Sequence, residues 1–222
     1  MINENSSREE VLEAVWQNGR ALKYANKRLK DDSEVVLAAI RQNWRSLQYA
    51  SERSRDDDML VSTAVSRNGR ALKYASDLLK SAKLIVLSAV YRDGGMLKYS
   101  SERLRDDAEC VSTAVWQNGR ALKYASKRLR DDFQIAYQAV KNDARALEYV
   151  SDRLANHRGV VLVAVKKNGL VLQYASEELR GDREIVMLAV KNTAGALSEA
   201  SEEIRSEVVK FLADNDGGKK NA

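Results

Sequence analysis

The chain has 222 residues, of which 44% are apolar and 31% charged, with a formal net charge of +5, no proline and two phenylalanines. This composition suits a folded protein with a core of Ala, Leu, Val, Ile and Tyr; it favours helices and argues against a β-sandwich or a collagen-like chain. Cys110 is the only cysteine, so no disulfide can close within the chain, and no run approaches the roughly 20 apolar residues of a membrane span.

Residues 1–7 read as an N-terminal cap or tail. They carry neither a basic region nor an apolar run, so a cytoplasmic location is expected, with secretion by a route that needs no such leader left open. From residue 8 onward a 25-residue ruler governs the chain. Tyr24, Tyr49, Tyr74, Tyr99, Tyr124, Tyr149 and Tyr174 keep that spacing without insertion or deletion, and the columns that begin at Ala14 and Leu22 keep it through Ala189 and Leu197. A fixed period of roughly 20–50 residues marks a stacked repeat architecture. About eight units fit, over residues 8–205.

Residues 31–55 illustrate one unit. Val35, Val36, Ala39 and Ile40 place apolar side chains on one face of a helix. Asp31-x-x-Glu34 has the spacing of a capping box at its start, and Ser6-x-x-Glu9, Asp106-x-x-Glu109 and Asp131-x-x-Gln134 repeat the device. Such acids have a structural task rather than a catalytic one. Leu47, Ala50 and Ser54 give a second helix. Between the two stands the column Asn18, Asn43, Asn68, Asp93, Asn118, Asp143, Asn168 and Thr193, all suited to a helix N-cap, followed by glycine in five copies. The expected corner has the first helix stop, the cap start the second, and glycine ease the backbone through.

Each unit is then a hairpin of two helices of about ten residues, too short to be stable alone. The uniform Ala14 column implies close approach between neighbouring helices. Residues 206–217 break the register and read as a capping helix, and 218–222 as a disordered tail. The expected fold is all-α: a right- or left-handed solenoid of about eight 25-residue αα-hairpin repeats with a C-terminal capping helix.

The runs Leu-Lys-Tyr-Ala-Ser-Lys-Arg-Leu-Arg-Asp-Asp (122–132) and Tyr-Ala-Ser-Glu-Glu-Leu-Arg-Gly-Asp-Arg-Glu-Ile-Val-Met-Leu-Ala-Val-Lys-Asn (174–192) resemble the tandem-repeat family called domain of unknown function 4116. The likeness covers nearly the whole chain and is weakest in the first and last repeats, where Glu199 takes the tyrosine position. The resemblance implies a helical tandem repeat and assigns no catalytic residue.

An active site needs a unique constellation of groups, and a repeat offers few. His157, the only histidine, stands where Asp57, Asp107 and Asp132 stand in other copies and reads as a solvated loop residue. One histidine and one cysteine cannot make a zinc cluster. No glycine-rich nucleotide motif is present, and Cys110 fills an otherwise aliphatic column. No enzyme, cofactor or metal site is expected. The tyrosine ladder reads as core packing with bonded hydroxyls, and alternatively as a platform for stacked bases.

The informative signal lies at the corner. The columns of residues 16–20 and 23 hold sixteen basic residues and three acids, so this edge carries +13 against −8 for the rest of the chain. Arg20 and Lys23, with their repeats Arg45, Arg70, Lys73, Lys98, Arg120, Lys123 and Arg145, fall in the first turns of the second helix. There the helix dipole disfavours cations by about 0.3–1 kcal/mol. A solubilising face is the plain reading and a binding edge the sharper one. Trp16, Tyr91 and Trp116, with Trp44 beside them, are either exposed anchors or residues packed over the corner.

The expected function is that of a monomeric, non-enzymatic scaffold that binds an acidic partner protein through this edge. Nucleic-acid binding by the same edge is the alternative. Gly95, Leu170 and Gly195 interrupt the arginine column, which favours the protein partner.

Overall fold

The computed structural model describes residues 2–217, with side chains placed through Phe211, and every regular element among the described residues is helical. The tail expected at 218–222 lies outside the described residues. Contacts divide the chain into two units, Met1–Gln117 and Asn118–Ala222. In the first, α1 (Arg8–Gln17), α2 (Ser33–Gln42), α3 (Asp58–Arg67), α4 (Lys83–Arg92) and α5 (Ala108–Gln117) are ten residues each and pack side by side in chain order. In the second, α6 (Phe133–Asn142), α7 (Arg158–Lys167) and α8 (Arg183–Asn192) do the same, followed by α9 (Glu202–Gly217). Both units are helical-repeat arrays of the solenoid kind, in which each repeat buries its apolar face on its neighbour. Val35, Val36, Ala39 and Ile40 of α2, and Leu60, Val61, Ala64 and Val65 of α3, are fully buried, as their spacing requires.

The helix starts lie one residue later than the capping boxes expected at Asp31, Asp106 and Asp131. Asp32, Asp57, Asp107, Asp132 and Asp182 are the N-caps, accepting from the N–H of Val35, Leu60, Cys110, Ile135 and Ile185 at 2.9–3.1 Å. At α1 the box is Ser7 with Glu10, not Ser6 with Glu9. The first acid of each pair is engaged elsewhere: Asp31 accepts from Ser51 and from Arg53 at 3.2 Å, and Asp131 from Ser151 and from Arg153 at 3.0 Å. One aspartate starts a helix; its neighbour ties the loop to the next repeat.

The second half of the hairpin is not one ten-residue helix. It is a six-residue 3-10 helix followed by a short α-helix, such as Trp44–Tyr49 with Glu52–Arg55, or Ala144–Tyr149 with Asp152–Ala155. A second cap divides it. The side chains of Ser51, Ser151 and Ser176 accept from the N–H three residues on. The backbone N–H groups of Ser51, Ser76 and Ser101 reach the carbonyls of Lys30, Arg55 and Lys80 in the preceding repeat at 2.8–3.0 Å. A continuous helix would consume those N–H groups internally. The 3-10 geometry aligns residues three apart, so Leu47 and Ala50 both turn inward.

The corner glycines serve close approach rather than an unusual backbone. No described glycine has a positive φ. A Cβ at Gly19, Gly69, Gly94, Gly119 or Gly169 would stand 2.2–2.4 Å from the carbonyl oxygen of Ala39, Ala89, Ala114, Ala139 or Ala189. The alanine and glycine columns are therefore two sides of one contact. A side-chain clamp completes it: the N–H of Gly19 donates to Gln42 at 2.9 Å, that of Gly119 to Asn142 at 2.9 Å.

Ion pairs follow the same register. Arg8 pairs with Asp32 at 2.9 Å and with Glu34, Lys83 with Asp107 and Glu109 at 2.8 Å, and Arg158 with Asp182 and Glu184. Where the aspartate is His157, the cation is Phe133, and their ring centroids lie 5.0 Å apart. His157 is exposed, as expected of a solvated residue, and occupies the N-cap position of α7 without a side-chain cap bond while packing on this ring. The terminal helix begins at Glu202, four residues before the expected cap, because the short helix of the last repeat runs on without a turn. Ile204 and Val208 are buried and Arg183 reaches Glu207 at 2.6 Å.

Candidate functional site

The sixteen corner cations separate into two groups. Arg41, Arg67, Arg92, Lys141, Lys166, Lys167 and Lys191 sit in the last turns of α2–α4 and α6–α8, where the helix dipole favours them. Lys167 also donates to the carbonyls of Lys141 and Asn142 at 2.7 and 3.0 Å. Fold stability accounts for this group. The other nine lie on the 3-10 segments. Lys23, Lys73, Lys98 and Lys123 occupy the last turn of theirs, so the dipole does not oppose them as the sequence implied.

An aromatic ring holds each of these lysines. In the first unit the ammonium groups of Lys23, Lys73 and Lys98 stand 5.6, 5.4 and 4.6 Å from the ring centroids of Tyr24, Tyr74 and Tyr99; in the second, Lys123 stands 4.9 Å from Tyr124. A cation over an exposed tyrosine face gains about 0.5–1 kcal/mol. The tyrosine column is consequently not core. Tyr24 is exposed and the other six are half-buried, because Leu22 and Ala25 on either side take the inward positions. Tyr149 receives a long bond, 3.5 Å, from Arg120.

The arginines are exposed except for the half-buried Arg120, and Arg70 spends part of its charge on Asp93 at 3.0 Å. Trp44, which replaces the corner glycine, is half-buried; the Arg45 guanidinium lies 4.5 Å from its ring, and Tyr74 tilts against it at 6.4 Å. Trp16, Tyr91 and Trp116 are 65%, 66% and 60% exposed, so these three are surface rings rather than corner packing. Tyr91 and Trp116 lie nearly parallel, 6.5 Å apart. Trp16 walls a groove of about 430 Å³ with Leu12, Leu37, Ala38 and Arg41. The structure therefore brings together Trp44, Arg45 and Tyr74, pairs Tyr91 with Trp116, and sets each lysine on its own tyrosine. It places Trp16 with Arg41 in a groove between α1 and α2. The tyrosine partners were missed from the sequence, although the recurring Lys-Tyr dipeptide was their signal.

The remaining chemistry is quiet. Burial pushes the Cys110 thiol up to about 12, which leaves it protonated and a poor nucleophile at neutral pH. Among the described residues no group of His, Cys, Asp and Glu side chains is arranged to hold a metal ion, and no helix is long and apolar enough to cross a membrane.

The family model for Domain of unknown function (DUF4116) matches residues 7–55, 117–155 and 157–205, more than half of the chain. The chain belongs to this family. No curated protein and no solved structure matches it. Two of the DUF4116 matches begin on an N-cap, Ser7 of α1 and His157 of α7, and each spans two 25-residue hairpins. The remaining match, 117–155, begins on the last residue of α5 and is shorter.

Proposed function

We propose that the chain is a monomeric, non-enzymatic scaffold that binds a partner protein of acidic surface through the corner edge. The observation that carries this is the set of exposed lysines, each on a tyrosine, in the first, third and fourth repeats of the first unit: Lys23, Lys73 and Lys98, with the exposed Arg20 and Arg45 in the first and second repeats. The repeat packing does not require these cations, since their column also holds Gln48, Glu148, Gln173 and Ser198. The second unit carries the same device at Lys123, with Arg145 exposed in the next repeat. Gly95, Leu170 and Gly195 interrupt the arginine column, whereas a base-reading repeat would keep its contact residues in every unit, which weighs for protein over nucleic acid. A cytoplasmic setting belongs to the proposal; the single thiol, which can close no disulfide within the chain, gives no reason to assign an oxidising compartment.

The test is R20E/R45E/K73E/K98E. Its helicity and melting should stay near wild type, because exposed charges seldom shift stability much. Polyglutamate should bind wild type with strong salt dependence and the variant far more weakly. Equal binding by both proteins refutes the proposal. Tight binding of single-stranded RNA or duplex DNA at physiological salt, lost in the variant, replaces the protein partner with a nucleic acid.

A further inference from the structure

At the end of the hairpin remote from the corner, two columns, one charged in half of the repeats and the other in all but one, turn apolar over one stretch. The column of Glu9, Glu34, Glu109 and Glu184 holds Met59 and Leu84, and the column of Arg28, Arg53, Arg103, Arg128 and Arg153 holds Leu78. These three side chains are 51%, 83% and 68% exposed. The same stretch departs from the repeat in its backbone. The N-cap of α4 is Ala82, with no side-chain cap bond, and the four-residue helix of other units shrinks to the 3-10 turn Leu79–Ser81. The unbonded cap is shared with His157 of α7, but bulky apolar groups are shown to solvent here, and stacking does not ask for them.

The repeat register places the three on neighbouring repeats at the same end of the hairpin. The alignment that sets Arg8 against Glu34 and Lys83 against Glu109 sets Leu84 against Asp58, next to Met59. That which sets Arg53 against Asp31 sets Leu78 against Asp56. Around them stand Asp56, Asp57 and Asp58, while Asp77 is paired with Lys80 at 3.2 Å; of the other cations in the stretch, Arg55 lines a groove with Asp56, Arg53 pairs with Asp31, Lys83 pairs with Asp107 and Glu109, and Arg103 donates to the Ser81 carbonyl at 2.8 Å.

We propose that Met59, Leu78 and Leu84 form a docking patch for a basic amphipathic helix of a partner protein. Three bulky side chains on one surface suit the apolar stripe of such a helix, with anchors three to four residues apart. The acidic rim selects lysine and arginine on its flanks and disfavours acidic ones. The patch is opposite in sign to the corner edge, so the two surfaces recruit different partners.

The probe is a fluorescein-labelled helical peptide with leucine at i, i+3 and i+7 and lysine on the remaining face, titrated against the full chain. Saturable binding is expected. It should weaken by about tenfold or more with M59E/L78R/L84E, which installs the residues of the other repeats, and equally when the peptide lysines become glutamates. M59S/L84S provides a second, milder variant, and circular dichroism checks both folds. R20E/R45E/K73E/K98E should bind the peptide as wild type does, so failure of the corner proposal leaves this one standing. Absence of saturable binding overturns the proposal, as does unchanged binding by the restored variant. Wild-type self-association abolished by M59E/L78R/L84E also overturns it, by giving the patch to a second copy of the chain.

Discussion

Replacing Gly94 by alanine tests the contact on which the repeat is built. The added Cβ would lie 2.2 Å from the carbonyl oxygen of Ala114 and 3.1 Å from Gln117 Oε1. A relaxed contact needs well over 3 Å, so α5 must retreat by on the order of 1 Å. That movement also stretches the bond from the Gly94 N–H to Gln117, now 2.6 Å. Overpacking of this kind costs about 1–3 kcal/mol, and a weakened hydrogen bond adds about 0.5–1.5. Ala144 fills the same column in the second unit and is buried, so the backbone can yield, and about 2 kcal/mol is the expected loss. For a protein of this size that corresponds to a melting temperature lower by about 4–8 °C. Gly95 is the control. Its Cβ would meet only Asp93 Oδ1 at 3.1 Å, and its φ is not positive, so Gly95→Ala should stabilise by up to about 1 kcal/mol through the unfolded state. Urea unfolding followed by circular dichroism measures both. If Gly94→Ala lies within about 0.5 kcal/mol of wild type, or Gly95→Ala is the worse of the two, close approach does not set the glycine column.

Tyr99→Ala should cost about 1–2 kcal/mol, less than the roughly 3–5 of a fully buried aromatic, because the ring is half-buried and capped by Lys98; a loss at the upper figure in urea unfolding would return the ring to the core. Ala82→Asp should raise stability by about 1 kcal/mol by supplying the cap that α4 lacks, and an unchanged urea midpoint would show that the cap is not limiting. The bond from Arg8 holds the Asp32 carboxyl below its ordinary value of 3.8. A depressed folded pKa contributes stability above the unfolded value and loses it as pH falls through the folded one. Arg8→Met should therefore flatten the loss of stability on acidification below about pH 4, measured as urea midpoint against pH; the same slope in both proteins would assign that loss to other carboxylates.

The period, the helical class and the inward faces of α1–α8 were legible in the sequence, because each depends on residues within two turns of one another. Val35, Val36, Ala39 and Ile40 need no knowledge of the next repeat to declare a face, and a uniform Ala14 column announces a tight contact without naming its partner. The partner came only with the tertiary structure: a Gly94 that must admit the Ala114 carbonyl is set by a residue 20 positions away. Contacts at similar range divide Asp31 from Asp32, split the second half of the hairpin at its serine, tie Arg70 to Asp93 and leave Lys98 free to rest on Tyr99. Local periodicity and capping act over the few residues that a helix turn spans. Which of two neighbouring aspartates caps, and which side of a tyrosine faces water, is decided by a hydrogen-bond donor or a packing surface that the next repeat supplies.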